Sequence, residues 1–212
     1  MTAESAAVIP DAIAASLRAS ILSQEDPPGS AITESAVAVR YGVARPTARI
    51  AIERLVSDGI LRREAHRAAR VPEFDRADIL DLYDNRLLLE SAAMASLATA
   101  GTIPAEALAA HRLFAETERA SADIAFHRAL VAGQPSTRLA RLHGLLLGEI
   151  ELCIGQIVSA ALIPTEAITA QHQGILDAVV AGDAAAAAEL ARLHIVGSRD
   201  ALLQHLDRTT DG

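Results

Sequence analysis

The sequence predicts a mostly α-helical chain in two parts. A small basic unit of three helices and a two-stranded hairpin comes first, and an all-helical antiparallel bundle follows. Composition is the first reason. Ala and Leu dominate a chain of 212 residues that is 51% hydrophobic, only 2% aromatic and free of Trp. Both are strong helix formers, whereas sheets favour β-branched and aromatic side chains. Punctuation is the second: Gly and Pro fall between apolar runs of helical length. Charge is the third. The net charge is −8, yet residues 36–72 hold eight arginines (Arg40, Arg45, Arg49, Arg54, Arg62, Arg63, Arg67, Arg70) against Glu53, Asp58 and Glu64 alone. A basic small domain joined to an acidic remainder suits an anionic polymer at one end only. The chain has no Lys, and Arg is the better fork for phosphate and guanine edges.

In chain order, Ile13, Leu17 and Ile21 recur every four residues, which predicts an amphipathic helix from Asp11 to Ser23. Residues 25–30 read as a turn. Thr33 caps a short helix that runs to about Arg40 and stops at Gly42. Pro46, at a first helical position, opens the next helix, with Ala48, Ala51, Ile52, Leu55 and Val56 on one side and Gly59 at its end. Residues 60–63 and 69–71 predict a two-stranded ribbon closed by Pro72. That order is a winged helix-turn-helix, expected over residues 1–73, whose second motif helix enters the major groove of double-stranded DNA. Arg45, Thr47 and Arg49 are then the helix's DNA-binding residues, flanking an outward strip of Pro46, Ile50 and Glu53. Arg62, Arg63, His66, Arg67 and Arg70 lie along phosphates or reach the minor groove.

From Phe74 to residue 212 strand signals cease. Helices are expected over residues 78–100, 105–119, 122–131, 137–161, 165–181 and 183–206, a bundle of about six. In the first, Leu80, Tyr83, Leu87, Leu88, Ser91 and Ala95 read as the recurrent face. Gly133 to Ser136 is a break, and Gly182 turns a hairpin whose second helix is capped by Asp183. The most apolar stretch, Leu142 to Ile163, contains Glu149 and Glu151, which are costly at mid-bilayer, so no membrane span is expected. The N-terminus has no positive n-region, so no signal peptide is read and a cytoplasmic location is expected. Cys153, the single cysteine, excludes an internal disulfide framework and any Cys-x-x-Cys metal site.

One constellation carries chemistry. Asp123 and His127 are four apart on one helix, so they share a side. His172 lies ten residues before Gly182 and His194 eleven after Asp183. In an antiparallel hairpin both stand about 15 Å from the turn, at one height. Three imidazoles and a carboxylate that converge bind a divalent ion, with Zn the leading expectation and Ni, Mn or Fe as alternatives. A lone His on an apolar face is usually a satisfied core residue; four groups at compatible positions are harder to dismiss. His111, His143 and His205 have no such partners in sequence and are read as surface or core histidines.

These residues carry a family resemblance. The chain resembles GntR-family transcriptional regulators whose C-terminal domain is an all-helical FCD effector domain. Gly42-Val43-Ala44-Arg45-Pro46-Thr47-Ala48-Arg49 is similar to the family's helix-entry motif, and Leu55-x-x-x-Gly59-Ile60-Leu61 to the segment that leads into the wing. Ile79 to Tyr83 and Arg86-x-x-x-Glu90 resemble the opening helix of the effector domain. Asp123-x-x-x-His127, His172 and His194 fall where that domain's metal ligands do. The resemblance implies a homodimer on a two-fold operator, modulated by a small-molecule effector, a carboxylate, that meets the metal. It carries Arg45 and Arg49 over as base and phosphate readers and Arg86 as an effector-binding residue. Repression is the expected mode. Ala44 departs from the family's Ser and removes a helix cap, and Ile50 replaces a Glu and is placed to meet a thymine methyl group. Glu149 and Glu151 stand where arginines are common; facing the cavity, they would disfavour an anionic effector. A metal-responsive regulator without an organic effector is one alternative. An α-helical metalloenzyme is another, but phosphate loops, a nucleophile elbow and a dinucleotide fingerprint are absent from the sequence, so no enzymatic activity is expected.

Overall fold

The computed structural model describes residues 3–65 and 67–210. The chain divides into two compact units, Met1–Glu73 and Phe74–Gly212. Among the described residues it is a mostly helical protein with one two-stranded sheet.

The first unit holds α1 (Ala3–Leu22), β1 (Ala31–Ile32), α2 (Glu34–Tyr41), α3 (Arg45–Ser57) and β2 (Ala69–Arg70). Its core is aliphatic: Leu17, Ile21, Ile52, Leu55, Ile60 and Leu61 are fully buried. α1 begins eight residues earlier than periodicity alone predicts, because the Ala-rich segment before Pro10 has high helix propensity and the proline is accommodated inside the helix. Thr33 Oγ1 accepts the Ala36 N–H at 3.1 Å. Gly42, at φ +63°, ends α2 in the left-handed region where glycine is the least costly residue. Ala44, the residue before α3, gives that helix no side-chain cap. The turn between α2 and α3 fixes the angle at which α3 presents Arg45 and Arg49.

The hairpin expectation needs correction. Residues 60–63 meet residues 69–71 only at one bridge, where Arg62 and Arg70 exchange N–H···O bonds of 2.9 Å. The strand that pairs in register with Ala69–Arg70 is β1, antiparallel, with Ala31 opposite Arg70 and Ile32 opposite Ala69. The wing is therefore anchored to the segment before α2. Val71 N–H to Ser30 O (3.0 Å) and Gly29 N–H to Val71 O (2.9 Å) extend the anchor.

The second unit holds α4 (Arg76–Ala100), α5 (Ala105–Thr117), α6 (Ala120–Gly133), α7 (Thr137–Ser159), α8 (Thr165–Val180) and α9 (Ala184–Thr210). α4 packs along α9, α5 on α6, α6 on α7 and α8 on α9. Met94, Leu97, Phe126, Leu130, Ile175 and Val179 fill one end of the bundle. Gly133 is required by close approach, since a Cβ there would stand 2.1 Å from Pro104 Cγ. Gln134, buried, then bonds the backbone of Val131 and Ser136 and locks the α6–α7 corner. Gly182, at φ +72°, turns α8 into α9, and Asp183 Oδ1 accepts the Ala186 N–H at 2.9 Å.

Two helices differ from expectation in instructive ways. α4 buries Ile79, Leu82, Tyr83, Arg86, Glu90, Ala93, Met94 and Leu97. Of the predicted face only Tyr83 is buried, and Leu88 is 73% exposed. Leucine periodicity misleads here because the inward side also takes a paired Arg and Glu. α7 is long and apolar enough to cross a membrane, yet its Ile150, Leu152, Ile154 and Ile157 are buried inside the bundle.

Candidate functional site

The midsection of the bundle is polar. Arg86, Glu90, Asp123, His127, His143, His172 and His194 are each at most 5% exposed. Such a concentration of buried ionisable groups is costly unless each group has a partner. α4 supplies Arg86 and Glu90, α6 supplies Asp123 and His127, α7 supplies His143, α8 supplies His172 and α9 supplies His194.

His127, His172 and His194 each offer a nitrogen within 4.8 Å of the others. His127 Nε2 and His194 Nε2 are 3.2 Å apart. His172 Nε2 is 3.3 Å from Asp123 Oδ1, and His127 Nε2 is 3.9 Å from Asp123 Oδ2. The four sequence-selected residues therefore lie in one cluster.

The protons decide what that cluster can hold. His127 Nδ1–H donates to Glu90 Oε2 at 2.7 Å. His194 Nδ1–H donates to Gln171 Oε1 at 2.8 Å. A neutral imidazole has one N–H, so with both rings neutral both Nε2 atoms carry lone pairs, and these face one another at 3.2 Å. Two lone pairs at that distance repel unless a proton or a metal cation is shared between them. Asp123 Oδ1 and both nitrogens of His172 are buried without a hydrogen bond, and such orphans call for an explanation. Protonation is a poor one. Burial, together with the neighbouring histidines, holds His172 and His194 well below the ordinary histidine value. Burial also pushes Asp123 up, against the pull of His127 and Arg86. A three-nitrogen, one-oxygen donor set with its Nδ1 atoms already tied to carboxylate and amide oxygens fits a divalent metal ion.

Glu90 ties this cluster to Arg86. Its Oε1 accepts from Arg86 Nε at 2.9 Å and lies 3.5 Å from His143 Nε2, while Oε2 takes His127. Burial works to raise Glu90, but Arg86 and His127 outweigh it and hold the carboxyl well below its usual range. Burial likewise opposes charge on Arg86, and Glu90 overcomes it. Arg86 Nη1 is left buried with no partner, and the guanidinium sits 4.9 Å from the Tyr83 ring centre. Arg86 lines a narrow cavity of about 10 Å³ beside Asp123, His127 and His194, with Ile154, Ile157, Val158, Ile168 and Ser198 as the other walls. Neither Glu149 nor Glu151 is among these walls. Glu90 and His143 were not selected as site residues from sequence; the Arg86-x-x-x-Glu90 spacing, which puts both on one helix face, was the available signal. Cys153 is buried and its thiol is pushed up to about 12 by burial, so it is an inert core residue.

In the first unit, Arg45, Arg49, Arg62, Arg67 and Arg70 are exposed and Thr47 and Arg63 are half-buried. Arg49 holds Glu34 in a two-pronged pair of 2.8 and 3.1 Å. Arg63 pairs with Glu53 and Arg67 with Glu64 (2.9 Å). Arg70 Nη1 donates to Gly29 O at 2.8 Å. Ile50 is 48% exposed on α3. His66 lies outside the described residues.

Comparison with known proteins agrees with this layout. Residues 10–71 match the bacterial regulatory proteins of the gntR family and residues 81–197 match the FCD domain. The HTH-type transcriptional regulator BphR of Paraburkholderia xenovorans (strain LB400) is 27% identical over 199 residues, covering 86% of this chain and 80% of BphR. A protein described as a GntR transcriptional regulator from Rhodococcus sp. RHA1 superposes with a TM-score of 0.77 at 25% identity, over 92% of this chain and 97% of its own. E. coli McbR/YncC shares the fold, with a TM-score of 0.74 at 19% identity over 93% of this chain and 98% of its own. With both halves matched and more than half of its length in the second, the chain belongs to the GntR family of bacterial transcriptional regulators, in the group that carries an FCD domain.

Proposed function

We propose that this regulator is a cytoplasmic, homodimeric repressor whose hold on a two-fold operator is set by a divalent metal ion and a small carboxylate effector in the C-terminal unit. The observation that carries the metal half is the pair of opposed Nε2 lone pairs of His127 and His194, with Asp123 and His172 unsatisfied beside them. Asp123, His127, His172 and His194 would hold the ion, zinc fitting this donor set best, with nickel, manganese or iron also compatible. Bound there, a divalent cation supplies a Lewis-acidic docking point for a carboxylate and braces α6, α8 and α9 together.

The chain's own residues do the rest. Glu90 keeps the Nδ1 proton on His127, which turns Nε2 toward the shared centre. It also fixes Arg86 through Nε and leaves the buried, unpartnered Nη1 available to an anion. The aliphatic walls exclude water. An effector shifts operator binding only as far as it prefers one state of the dimer over the other. In the N-terminal unit α3 reads the major groove with Arg45, Thr47 and Arg49, and Ile50 is placed to meet a thymine methyl group. Arg62, Arg63, Arg67 and Arg70, with His66, run along the phosphates.

A second function, metal sensing with no organic effector, is favoured by one feature: the cavity has room for about one water at most. Against it stands the buried, unpartnered Nη1 of Arg86. The test is selection of bound DNA from random sequence, followed by mobility-shift assays with metal-loaded and chelator-treated protein. Sequence-specific binding that responds to metal is expected; specific binding indifferent to chelation overturns the metal half, and the absence of specific binding overturns the DNA half.

A further inference from the structure

Charge balance and wall chemistry together narrow the ligand of the C-terminal cavity. Four charged entities meet there once a divalent ion is in place. The ion brings two positive charges and Asp123 one negative, while Arg86 and Glu90 cancel through their 2.9 Å pair. His127, His172 and His194 are neutral as ligands. Among these groups one positive charge is left over, in surroundings whose polar side chains are almost wholly buried; Glu151, also buried on α7, does not line the cavity. Uncompensated charge in such surroundings is expensive. A single negative charge cancels it; a second creates a new deficit. Arg86 also has a limited offer. Its Nε is taken by Glu90, and its Nη1 is buried and unpartnered, so the Nη1 edge is what it offers to one carboxylate.

Beyond that edge the cavity offers little polarity. Ile154, Ile157 and Val158 of α7 and Ile168 of α8 form the opposing wall, with Ser198 the one hydroxyl. No second cation lines the cavity. A second carboxylate or a run of hydroxyls would lose its water against aliphatic side chains and gain no partner. From these observations we infer that the effector is a short aliphatic monocarboxylate, its carboxylate held between Arg86 and the metal site and its hydrocarbon tail packed on Ile154, Ile157, Val158 and Ile168. The free volume of about 10 Å³ requires the tail to displace a wall. Val158 is the half-buried member, one residue before α7 ends and three before Ala161, whose φ of +48° marks a strained corner. The tail therefore enters on the α7 C-terminal side.

Because the ligand class rests on the proposed metal site, zinc uptake is measured first and separately. The zinc-loaded full chain is then titrated calorimetrically with butyrate and isobutyrate, and with malonate, succinate and lactate. Butyrate or isobutyrate is expected to bind at least about tenfold more tightly than malonate, succinate or lactate. In Val158→Arg, which places a second cation at the half-buried wall, the order is expected to reverse toward succinate, and this variant leaves Arg86, Glu90 and the four metal-cluster residues intact. A zinc-loaded chain that prefers malonate or succinate overturns the single-carboxylate assignment, one that prefers lactate overturns the aliphatic tail, and one that binds neither butyrate nor isobutyrate overturns both, with the metal site untouched. A chain that takes up no zinc overturns the metal site, and the monocarboxylate assignment falls with it.

Discussion

The same residue does opposite work in the two units. In the first, Arg49 lies open to water and its partner Glu34 is a surface acid. In the second, Arg86 is 1% exposed and its partner Glu90 is 2% exposed. An exposed pair contributes little to stability and exchanges easily for a phosphate. A buried pair cannot dissolve without leaving a charge stranded in a low dielectric. The basic end of the molecule is thus free to trade partners with DNA, while the polar midsection of the bundle is fixed. Mutation should therefore act on binding in the first unit and on folding or metal retention in the second.

The largest effect is expected from Glu90→Ala. It strands Arg86, frees His127 Nδ1 and leaves His143 without its carboxylate, and it should cost about 3–5 kcal/mol of stability, read as a shift in the urea midpoint. Unchanged stability would erase the contrast between the two pairs. Chelation comes next. An ion present at about a thousand times its dissociation constant stabilises the fold by about 4 kcal/mol, so stripping it should lower Tm markedly and raise amide exchange along α6, α8 and α9.

The stripped protein should also be acid-sensitive. His172 and His194 sit well below the ordinary value of 6.5 when folded. The unfolded chain therefore binds protons that the folded chain refuses, and stability falls as pH drops below about 6.5. Asp123, raised by burial, has the opposite sign, and its contribution is confined to the range above the ordinary value of 3.8. Melting the chelated protein at pH 7.5 and 5.5 checks the sum, with the lower Tm expected at pH 5.5.

In the first unit the effects move to DNA. Arg49→Ala should weaken operator binding by about ten- to a hundredfold if it reads a base, with Tm unchanged, and overall affinity should fall steeply with salt. Glu34→Gln, the smallest change, releases the Arg49 guanidinium and should raise operator affinity at low salt by less than about fivefold. A large loss there would make Glu34 a positioning residue for Arg49.

How far the sequence reached follows the same division. The helix breaks were legible because Gly42, Gly182 and the Gly133–Pro135 corner carry backbone requirements that few other residues meet. The convergence of His172 and His194 was legible because a tight hairpin converts equal sequence distance into equal height. β1 was not. Two residues, Ala31 and Ile32, are too short for any periodicity, and their partners lie nearly forty positions away. The inward face of α4 was misread because leucines occupy both sides, and only tertiary contact shows that Arg86 and Glu90 turn inward. His143 was set aside because its partner is on another helix, α4, more than fifty positions back.

The central claim is that the opposed Nε2 atoms of His127 and His194 exist to share a metal ion. Metal analysis by plasma mass spectrometry of the full chain, alongside His194→Ala with its helicity verified by circular dichroism, tests it most directly. The account predicts one divalent ion per wild-type chain, lost with a strong chelator, and a folded variant that retains little or none. Wild-type protein that holds no ion after equilibration with zinc, or a variant that holds as much as wild type, would contradict it.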